Sequence, residues 1–244
     1  MRGFFVALQF LTRLPSPALN GFDPSWIARA VPFFPVVGWL VGAIAGAVFW
    51  GVSHWLPGWP AAVAALAAGL LATGGFHEDG LADTADGLGG GLTSERRLAI
   101  MKDSRLGSYG ALALWAALSF KAAVLARLTP AEGALALVLA GGAARALVVP
   151  VMATLAYARE PDEAKLKPAP EGVRWWEAGA ALAIGLAPLI ALRPMGGALG
   201  LALAVLAVLW LARAARRLIG GWTGDVLGGC EALAEAGLLA GLAV

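Results

Sequence analysis

The sequence is poor in the residues from which most protein chemistry is built. Only 14% of its 244 residues are charged, and it contains two histidines and one cysteine. The single cysteine, Cys230, excludes an intramolecular disulfide and a cysteine-based metal cluster. His54 and His77 alone cannot complete a zinc site. Intrinsic disorder is excluded as well, because it needs low hydrophobicity and a high net charge, whereas the net charge here is +2.

What the sequence has in abundance is apolar side chains. Apolar residues make up 59% of the chain, 33 glycines come in addition, and the mean hydropathy is +0.76. A soluble domain has about 25% charged and about 45–50% apolar residues. We therefore expect an integral membrane protein that forms one domain over residues 1–244. The isoelectric point near 9 fits basic residues beside membrane spans, and we predict no nucleic-acid partner.

Long apolar runs predict an all-α, polytopic bundle of transmembrane helices with about six to seven spans. The runs cover residues 32–50, 60–73, 109–126, 133–156, 176–192 and 196–212. The run at 60–73 is short for a bilayer core about 30 Å thick, so it spans only if it continues into the glycine-rich segment after it. The tail at 232–244 is either a partial span or an interfacial helix. The start of the chain, which Gln9 and Arg13 interrupt, is interpreted as a retained interfacial or re-entrant helix.

The few charges are distributed unevenly between the two predicted ends of the bundle. Fourteen of the 18 lysines and arginines lie in four segments, at residues 2–29, 96–105, 159–174 and 213–217. If the six runs span, all four segments face one side, and the opposite loops hold only Arg127 and Arg193. The positive-inside rule places the charged side in the cytoplasm of a bacterial inner membrane. We therefore expect the active site on the cytoplasmic face.

One short segment, residues 74–87, holds four of the acids within nine residues. On a helix, Asp79, Asp83 and Asp86 share one face, at positions i, i+4 and i+7. Carboxylates stacked in this way repel one another unless a cation binds them. Hard oxygen ligands suit Mg²⁺, which bridges to substrate phosphates. The spacing favours a metal site, and a solvated acidic loop is the alternative.

Four further residues near or inside the spans are candidates by their position. Glu78 points about a quarter-turn away from the acidic face and is a weaker metal ligand. His77 is a candidate substrate contact. Arg145 and Lys121 lie within predicted spans, where a charge indicates function by default. We predict that Arg145 contacts substrate, and for either cation the alternative is to pair with a structural acid or to snorkel.

A mixed cluster, residues 102–105, follows the acidic segment. Lys102 and Arg105 are three residues apart and can face one polyanion together. Ser104 lies between them and is a further candidate phosphate contact, while Asp103 is a candidate metal ligand or general base. Basic residues that merely flank a span are the alternative interpretation, which explains this mixed composition less well.

A second glycine-rich segment, residues 220–229, contains Thr223 and Asp225. Glycines allow the backbone to approach a ligand closely, and Asp225 could then serve a metal or a hydroxyl as a catalytic acid or base. Thr223 is a candidate substrate contact. The alternative is a simple turn between the last span and the tail.

These segments together resemble one family, the cobalamin synthases (adenosylcobinamide-GDP ribazoletransferases). The resemblance rests on residues 10–15 (Phe-Leu-Thr-Arg-Leu-Pro), 34–38 (Phe-Pro-Val-Val-Gly), 74–87, 101–107 (Met-Lys-Asp-Ser-Arg-Leu-Gly) and 223–228 (Thr-Gly-Asp-Val-Leu-Gly), in the family's order from end to end of the chain. The acidic segment is the most specific of them.

The resemblance implies a polytopic inner-membrane enzyme that depends on Mg²⁺. Its substrates would be adenosylcobinamide-GDP and α-ribazole or α-ribazole 5′-phosphate, and its products adenosylcobalamin or its 5′-phosphate, and GMP. In such a reaction the acidic stripe would hold the metal, Lys102 and Arg105 would bind phosphate oxygens, and either Asp103 or Asp225 would be the base.

Three questions stay open at the level of the sequence. The acidic spacing is also similar to that of the CDP-alcohol phosphotransferases, so a membrane lipid as acceptor is a second interpretation. It predicts that the site opens sideways to the bilayer beside Asp79. A transporter is a third, but polar residues on one face only argue against it. Recurrent glycine pairs leave a homo-oligomer open.

Overall fold

The computed structural model of the protein describes residues 2–17, 25–158 and 172–244. Within these ranges the chain forms twelve α-helices. They are α1 (Arg2–Leu11), α2 (Ser25–Ala30), α3 (Phe34–Ser53), α4 (Trp59–Thr73), α5 (Phe76–Gly90), α6 (Ser94–Lys102), α7 (Ser108–Leu125), α8 (Pro130–Leu147), α9 (Val149–Thr154), α10 (Trp175–Leu192), α11 (Pro194–Ile219) and α12 (Gly224–Leu242). A 3₁₀ turn, Val31–Phe33, joins α2 to α3. The only extended pairing in the described ranges is a single parallel bridge between Tyr157 and Trp222.

Five helical segments are long and apolar enough to cross a membrane. They are Trp26–Ser53, Ser108–Leu125, Pro130–Thr154, Trp175–Leu192 and Pro194–Ile219. A sixth span is obtained if α4 and α5 count as one broken span. This confirms the predicted all-α transmembrane bundle, at the lower end of the predicted number of spans.

The apolar run at 60–73 does not continue straight into the acidic segment. Helix α4 has 15 residues and is about 22 Å long at 1.5 Å per residue, which is too short to cross the apolar core alone. The chain then bends by 91° into α5. Gly74 and Gly75 allow this bend, because both have a positive φ, of 71° and 70°.

The apolar tail belongs to a longer helix than expected. Helix α12 begins at Gly224 and has 19 residues, most of them buried against other helices. It packs along α11, where a Cβ on Gly237 or Gly241 would meet the backbone of Ala204 or Gly200. The tail is therefore a central helix of the bundle.

Close glycine contacts also join α3 to α8. Gly38, Gly42 and Gly46 recur every four residues along α3, and a Cβ at any of them would meet the backbone of α8. Small residues with this spacing let two helix backbones approach in a membrane, where the hydrophobic effect does not drive association. Most of the glycine content thus serves packing.

Contacts between helix ends show that the charged segments share one end of the bundle. Arg97 of α6 donates to the carbonyl oxygen of Leu218 near the end of α11, at 3.4 Å. The Trp222 amide, before α12, donates to the Ala156 carbonyl oxygen after α9, at 2.9 Å. Of the predicted basic segment 159–174, residues 159–171 lie outside the described ranges. We call this end of the bundle the charged end.

Cysteines introduced singly at Gly90 and Met195 should react from opposite sides of the membrane. Both residues are exposed, Gly90 beside α6 at the charged end and Met195 at the start of α11, at the other end. Cys230 is buried and should not react. In intact spheroplasts a membrane-impermeant maleimide should label the Met195→Cys variant alone, and membrane disruption should then expose the Gly90→Cys variant. Labelling of Gly90→Cys in intact spheroplasts would overturn the predicted orientation.

Candidate active site

A cleft of about 700 Å³ lies at the bend between α4 and α5. Its walls come from three of the sequence segments that carry the resemblance. They are Phe10 near the end of α1 with Thr12 and Arg13 after it, Thr73, Gly74, Gly75, Phe76, Glu78, Asp79 and Ala82 around the bend, and Leu106 before α7 with Leu114 within it. Residues far apart in the chain therefore meet at one cleft that carries charged side chains.

Arg13 is the cation that the structure brings closest to the bend. Its amide donates to the carbonyl oxygen of Ala72 at 2.8 Å, and its guanidinium packs so closely over Gly74 that a Cβ there would collide with it. In the sequence, Arg13 is one of the basic residues that flank the spans and is not among the predicted site residues. Its place in the resemblance segment 10–15 is the signal that could have identified it.

Asp79 and Asp83 lie one turn apart on α5, with Asp79 exposed in the cleft and Asp83 half-buried. Acids in the first turn of a helix are favourable beside its free N–H groups, and both Glu78 and Asp79 lie in that turn of α5. Asp79 and Asp83 both belong to the predicted metal face, whose role as a metal site stays a prediction.

Asp86, the third member of the predicted stripe, is buried and contacts backbone. Its two carboxylate oxygens accept the amides of Gly107 at 2.8 Å and Gly110 at 2.9 Å. These amides belong to the first turn of α7, whose N-cap, Gly107, has no side chain to satisfy them. Asp86 thus caps α7 from a neighbouring helix and holds the loop 103–107 against α5.

The predicted three-carboxylate metal site is therefore reduced to a pair. No three Asp, Glu, His or Cys side chains in the described ranges are close enough together to hold one metal ion. Mg²⁺ is commonly held by one or two carboxylates, with substrate phosphates and water completing an octahedron. Asp79 and Asp83 fit that arrangement, whereas they do not fit a site made by the protein alone.

The loop after α6 exposes the predicted phosphate-binding residues. Lys102, Ser104 and Arg105 are exposed, and 88% of the Arg105 side chain is accessible. Arg105 donates through Nε to both carboxylate oxygens of Asp103, at 3.0 and 3.1 Å. These hydrogen bonds, together with one from the Arg105 amide, lower the pKa of Asp103 to about 2. Asp103 is therefore ionised at every physiological pH.

Thr223 and Asp225 lie at the start of α12, against α5. The Thr223 hydroxyl is fully buried and caps α12 by accepting the Val226 amide at 3.2 Å. Asp225 is also buried, and a Cβ on Gly80 of α5 would meet its backbone. The structure thus gives Thr223 a capping role, and it places Asp225 directly beside the helix that carries the acidic pair.

Three ionisable side chains from three helices meet inside the bundle. Arg145 of α8 lies 2.8 Å from Glu231 of α12, measured from Nη1 to Oε1, and also donates to the Gly141 carbonyl oxygen at 3.0 Å. His77 Nδ1 lies 3.6 Å from Glu231 Oε2 and 3.4 Å from Arg145 Nη2. Arg145 is 3% exposed and Glu231 2%. The pair is therefore almost completely removed from solvent.

A second set of charges adjoins the first. Lys121 of α7 is 1% exposed, and its Nζ lies 2.5 Å from Glu235 Oε2 and 3.7 Å from Glu78 Oε1. The residues of both sets line one small internal cavity. We call them the buried ionic network, which comprises His77, Glu78, Lys121, Arg145, Glu231 and Glu235.

This network changes the assignment of three predicted site residues. Arg145 pairs with a structural acid, as in the alternative interpretation, and no longer needs a substrate to balance its charge. Glu78 is directed at Lys121, although it also borders the cleft. His77 is on the side of α5 that lines the internal cavity, and it does not line the cleft. Glu231 and Glu235 are not among the predicted site residues, although two acids four residues apart in an apolar tail indicate partners for intramembrane cations.

Comparison with known proteins extends over nearly the whole chain. A family model described as cobalamin-5-phosphate synthase matches residues 3–243. A protein of Leptothrix cholodnii named adenosylcobinamide-GDP ribazoletransferase is 45% identical, with 99% of this chain and 96% of the relative covered. Proteins of the same name from Ralstonia pickettii and Shewanella baltica are 44% and 41% identical, over 99% and 95% of this chain and 94% and 90% of the relatives. No solved structure matches the chain.

The Glu231→Gln variant should be strongly destabilised, because it leaves the Arg145 charge buried without its partner. Breaking a buried ion pair in this way costs about 3–5 kcal/mol, whereas replacing both partners by apolar residues of similar volume is often nearly neutral. The double variant Arg145→Met/Glu231→Met should therefore recover most of the lost stability. The free energy of unfolding of the single and the double variant is measured by denaturant unfolding in detergent, followed by tryptophan fluorescence. Equal destabilisation of the single and double variants would contradict the role of this pair.

Proposed function

The chain belongs to the cobalamin-5-phosphate synthase family, and from this membership we propose that it joins adenosylcobinamide-GDP to α-ribazole or α-ribazole 5′-phosphate. The products would be adenosylcobalamin or its 5′-phosphate, and GMP. The names of the relatives, which specify ribazole transfer, support this substrate pair and favour it over a lipid acceptor or a transport function. The single observation in the structure that supports it is the meeting of acidic and basic motifs at one cleft.

The proposed reaction is one displacement at phosphorus. A ribose hydroxyl of α-ribazole attacks the phosphorus that carries cobinamide, and the bond from that phosphorus to the bridging oxygen of the diphosphate breaks. GMP leaves with the bridging oxygen, and the proton of the hydroxyl passes to a base. The site must therefore bind a diphosphate, balance its charge and orient the nucleophile.

Mg²⁺ is the proposed cofactor, with Asp79 and Asp83 as the residues that would hold it. When bound, it would neutralise the diphosphate and stabilise the leaving group. The helix supports this assignment, because Asp79 lines the cleft and Asp83 lies one turn further along the same helix. Asp86 acts indirectly, since its cap fixes the loop that carries the basic residues relative to α5.

Three basic residues are proposed to bind the phosphates. Arg13 lines the cleft beside the bend, Lys102 is exposed at the last position of α6, and Ser104 and Arg105 are exposed in the loop that Asp86 holds. Arg105 is engaged by Asp103 in the structure. A phosphate would have to replace Asp103 as the partner of Arg105. The ion pair with Asp103 therefore weakens the binding of phosphate to Arg105.

The general base is proposed to be Asp225 and not Asp103. A carboxylate with a pKa near 2 is a weak base, because efficient general bases have pKa values closer to the operating pH. The backbone of Asp225, at the start of α12, lies against Gly80, which follows Asp79 on α5. We place the whole site on the cytoplasmic face, because the basic segments lie at the same end of the bundle.

Purified protein with Mg²⁺, adenosylcobinamide-GDP and α-ribazole should release GMP and form the joined cobalamin product in equal amounts, measured by mass spectrometry. The Asp83→Asn variant should lower turnover about 100-fold or more, since it removes one carboxylate from the metal pair. Glu95→Gln is the matched control, because Glu95 is an exposed acid nearby on α6. It should keep wild-type turnover. Absence of product from wild-type protein in several detergents and in liposomes would refute the proposed reaction.

Substitutions in the loop after α6 should separate binding from proton transfer. Arg105→Gln should raise KM roughly tenfold with a smaller change in kcat, because it removes a charge-assisted phosphate contact. Asp103→Asn should keep kcat near the wild-type value and lower KM, because it frees Arg105. Asp225→Asn should lower kcat about 100-fold, because it removes the proposed proton acceptor. A large loss of kcat in Asp103→Asn would identify Asp103 as the base instead.

A further inference from the structure

A third cavity, separate from the cleft and from the internal cavity of the buried ionic network, opens along the side of the bundle between α8–α9, α10 and α11. Its volume is about 620 Å³, which is within the range of small-molecule sites. Leu182 and Leu186 of α10 form one wall, and Leu201, Val205 and Val208 of α11 form another. We call this cavity the lateral groove. It contains none of the residues that we place in the reaction.

One end of the lateral groove carries positive charge. Arg213 and Arg216 of α11 line it at the charged end of the bundle, where Thr154 and Leu155 close the wall from α9. They continue the apolar stripe of α11, since Val205, Val208 and Ala212 precede them at helical spacing on the groove wall. Both arginines are exposed.

These two guanidinium groups have no counter-charge of their own. Neither Arg213 nor Arg216 has a hydrogen bond or an ion pair with any residue in ranges 2–17, 25–158 and 172–244. A guanidinium carries five N–H donors in a planar fork that matches phosphate oxygens. The groove therefore presents an apolar channel whose end at the charged end of the bundle carries two guanidinium groups.

We propose that the lateral groove binds one anionic phospholipid of the surrounding membrane. An acyl chain would lie between α10 and α11 against the leucine and valine side chains, and the headgroup phosphate would contact Arg213 and Arg216. Basic pockets between transmembrane helices on the cytoplasmic side bind anionic lipid headgroups by the same physics. Charge complementarity selects an anionic lipid over a zwitterionic one, and the length of the apolar wall selects a lipid over a free phosphate.

Native mass spectrometry of the full-length protein in detergent tests the proposal. Phosphatidylglycerol and phosphatidylethanolamine with identical acyl chains are added at equal concentrations. Wild-type protein should retain phosphatidylglycerol preferentially, and the Arg213→Gln/Arg216→Gln variant should lose this preference. The loss of each arginine should reduce the affinity for phosphatidylglycerol about fivefold. Equal retention of the two lipids by wild-type protein would overturn the proposal.

Arg217→Gln is the matched control for charge. Arg217 is exposed on the next position of the same helix, but it does not line the groove, so this variant should bind phosphatidylglycerol like wild-type protein. An equal loss in Arg217→Gln and in the double variant would show that general surface charge attracts the lipid, and would refute a specific site.

A groove-filling variant tests the apolar half independently. Val205→Trp should reduce the binding of both lipids while leaving the arginines unchanged, since it occupies the space of the chain. Soluble glycerol phosphate should not compete with phosphatidylglycerol, because it lacks the acyl chain. Competition at equal concentration, or full lipid binding by Val205→Trp, would show an anion site without a lipid channel and overturn the proposal.

Discussion

Lys121 and Arg145 lie inside a bundle of apolar helices, and the need to balance their charge there constrains the rest of the structure. An uncompensated charge in such a place costs several kcal/mol, so four helices must converge on the two cations. Glu231 and Glu235 come from α12, while His77 and Glu78 come from α5. The network thereby ties the C-terminal helix and the acidic helix to α7 and α8. It lies directly behind the candidate active site, because Glu78 borders both the internal cavity and the cleft.

Two further local features, a bend between helices and a helix cap, form the cleft beside this network. The bend at Gly74 and Gly75 turns α5 away from α4 and leaves room beside Arg13. Asp86 then uses both carboxylate oxygens to cap α7, which holds the loop with Ser104 and Arg105 against α5. The first feature depends on two glycines with positive φ, and the second on backbone amides at the start of a helix. Together they bring acidic and basic motifs close together, as the proposed reaction requires.

The low content of charged residues reflects both the membrane environment of the chain and the few places where charge is used. Most of the chain is apolar because it must lie in lipid, and glycine contacts such as those of α3 with α8 pack it without polar side chains. Among the described residues, one set of charges is buried and paired in the buried ionic network, and another set is exposed at the charged end. The proposed phosphate contacts and the proposed lipid contact use the exposed set, whereas the proposed base, Asp225, is buried. A membrane bundle can thereby present a polar site at one end.

The sequence by itself determined the helical class, the segregation of basic residues to one end and the motifs that meet at the cleft. These properties follow from hydropathy and from spacing along single helices, which are local. Only the tertiary structure decided which acids are available. The spacing of Asp79, Asp83 and Asp86 is the same in any helix, but the packing of α7 assigns Asp86 to a cap. Likewise Arg145 is a candidate ligand in the sequence and a paired structural cation in the fold, because its partner, Glu231, lies 86 residues away and is brought to it only by the packing of α12 on α8.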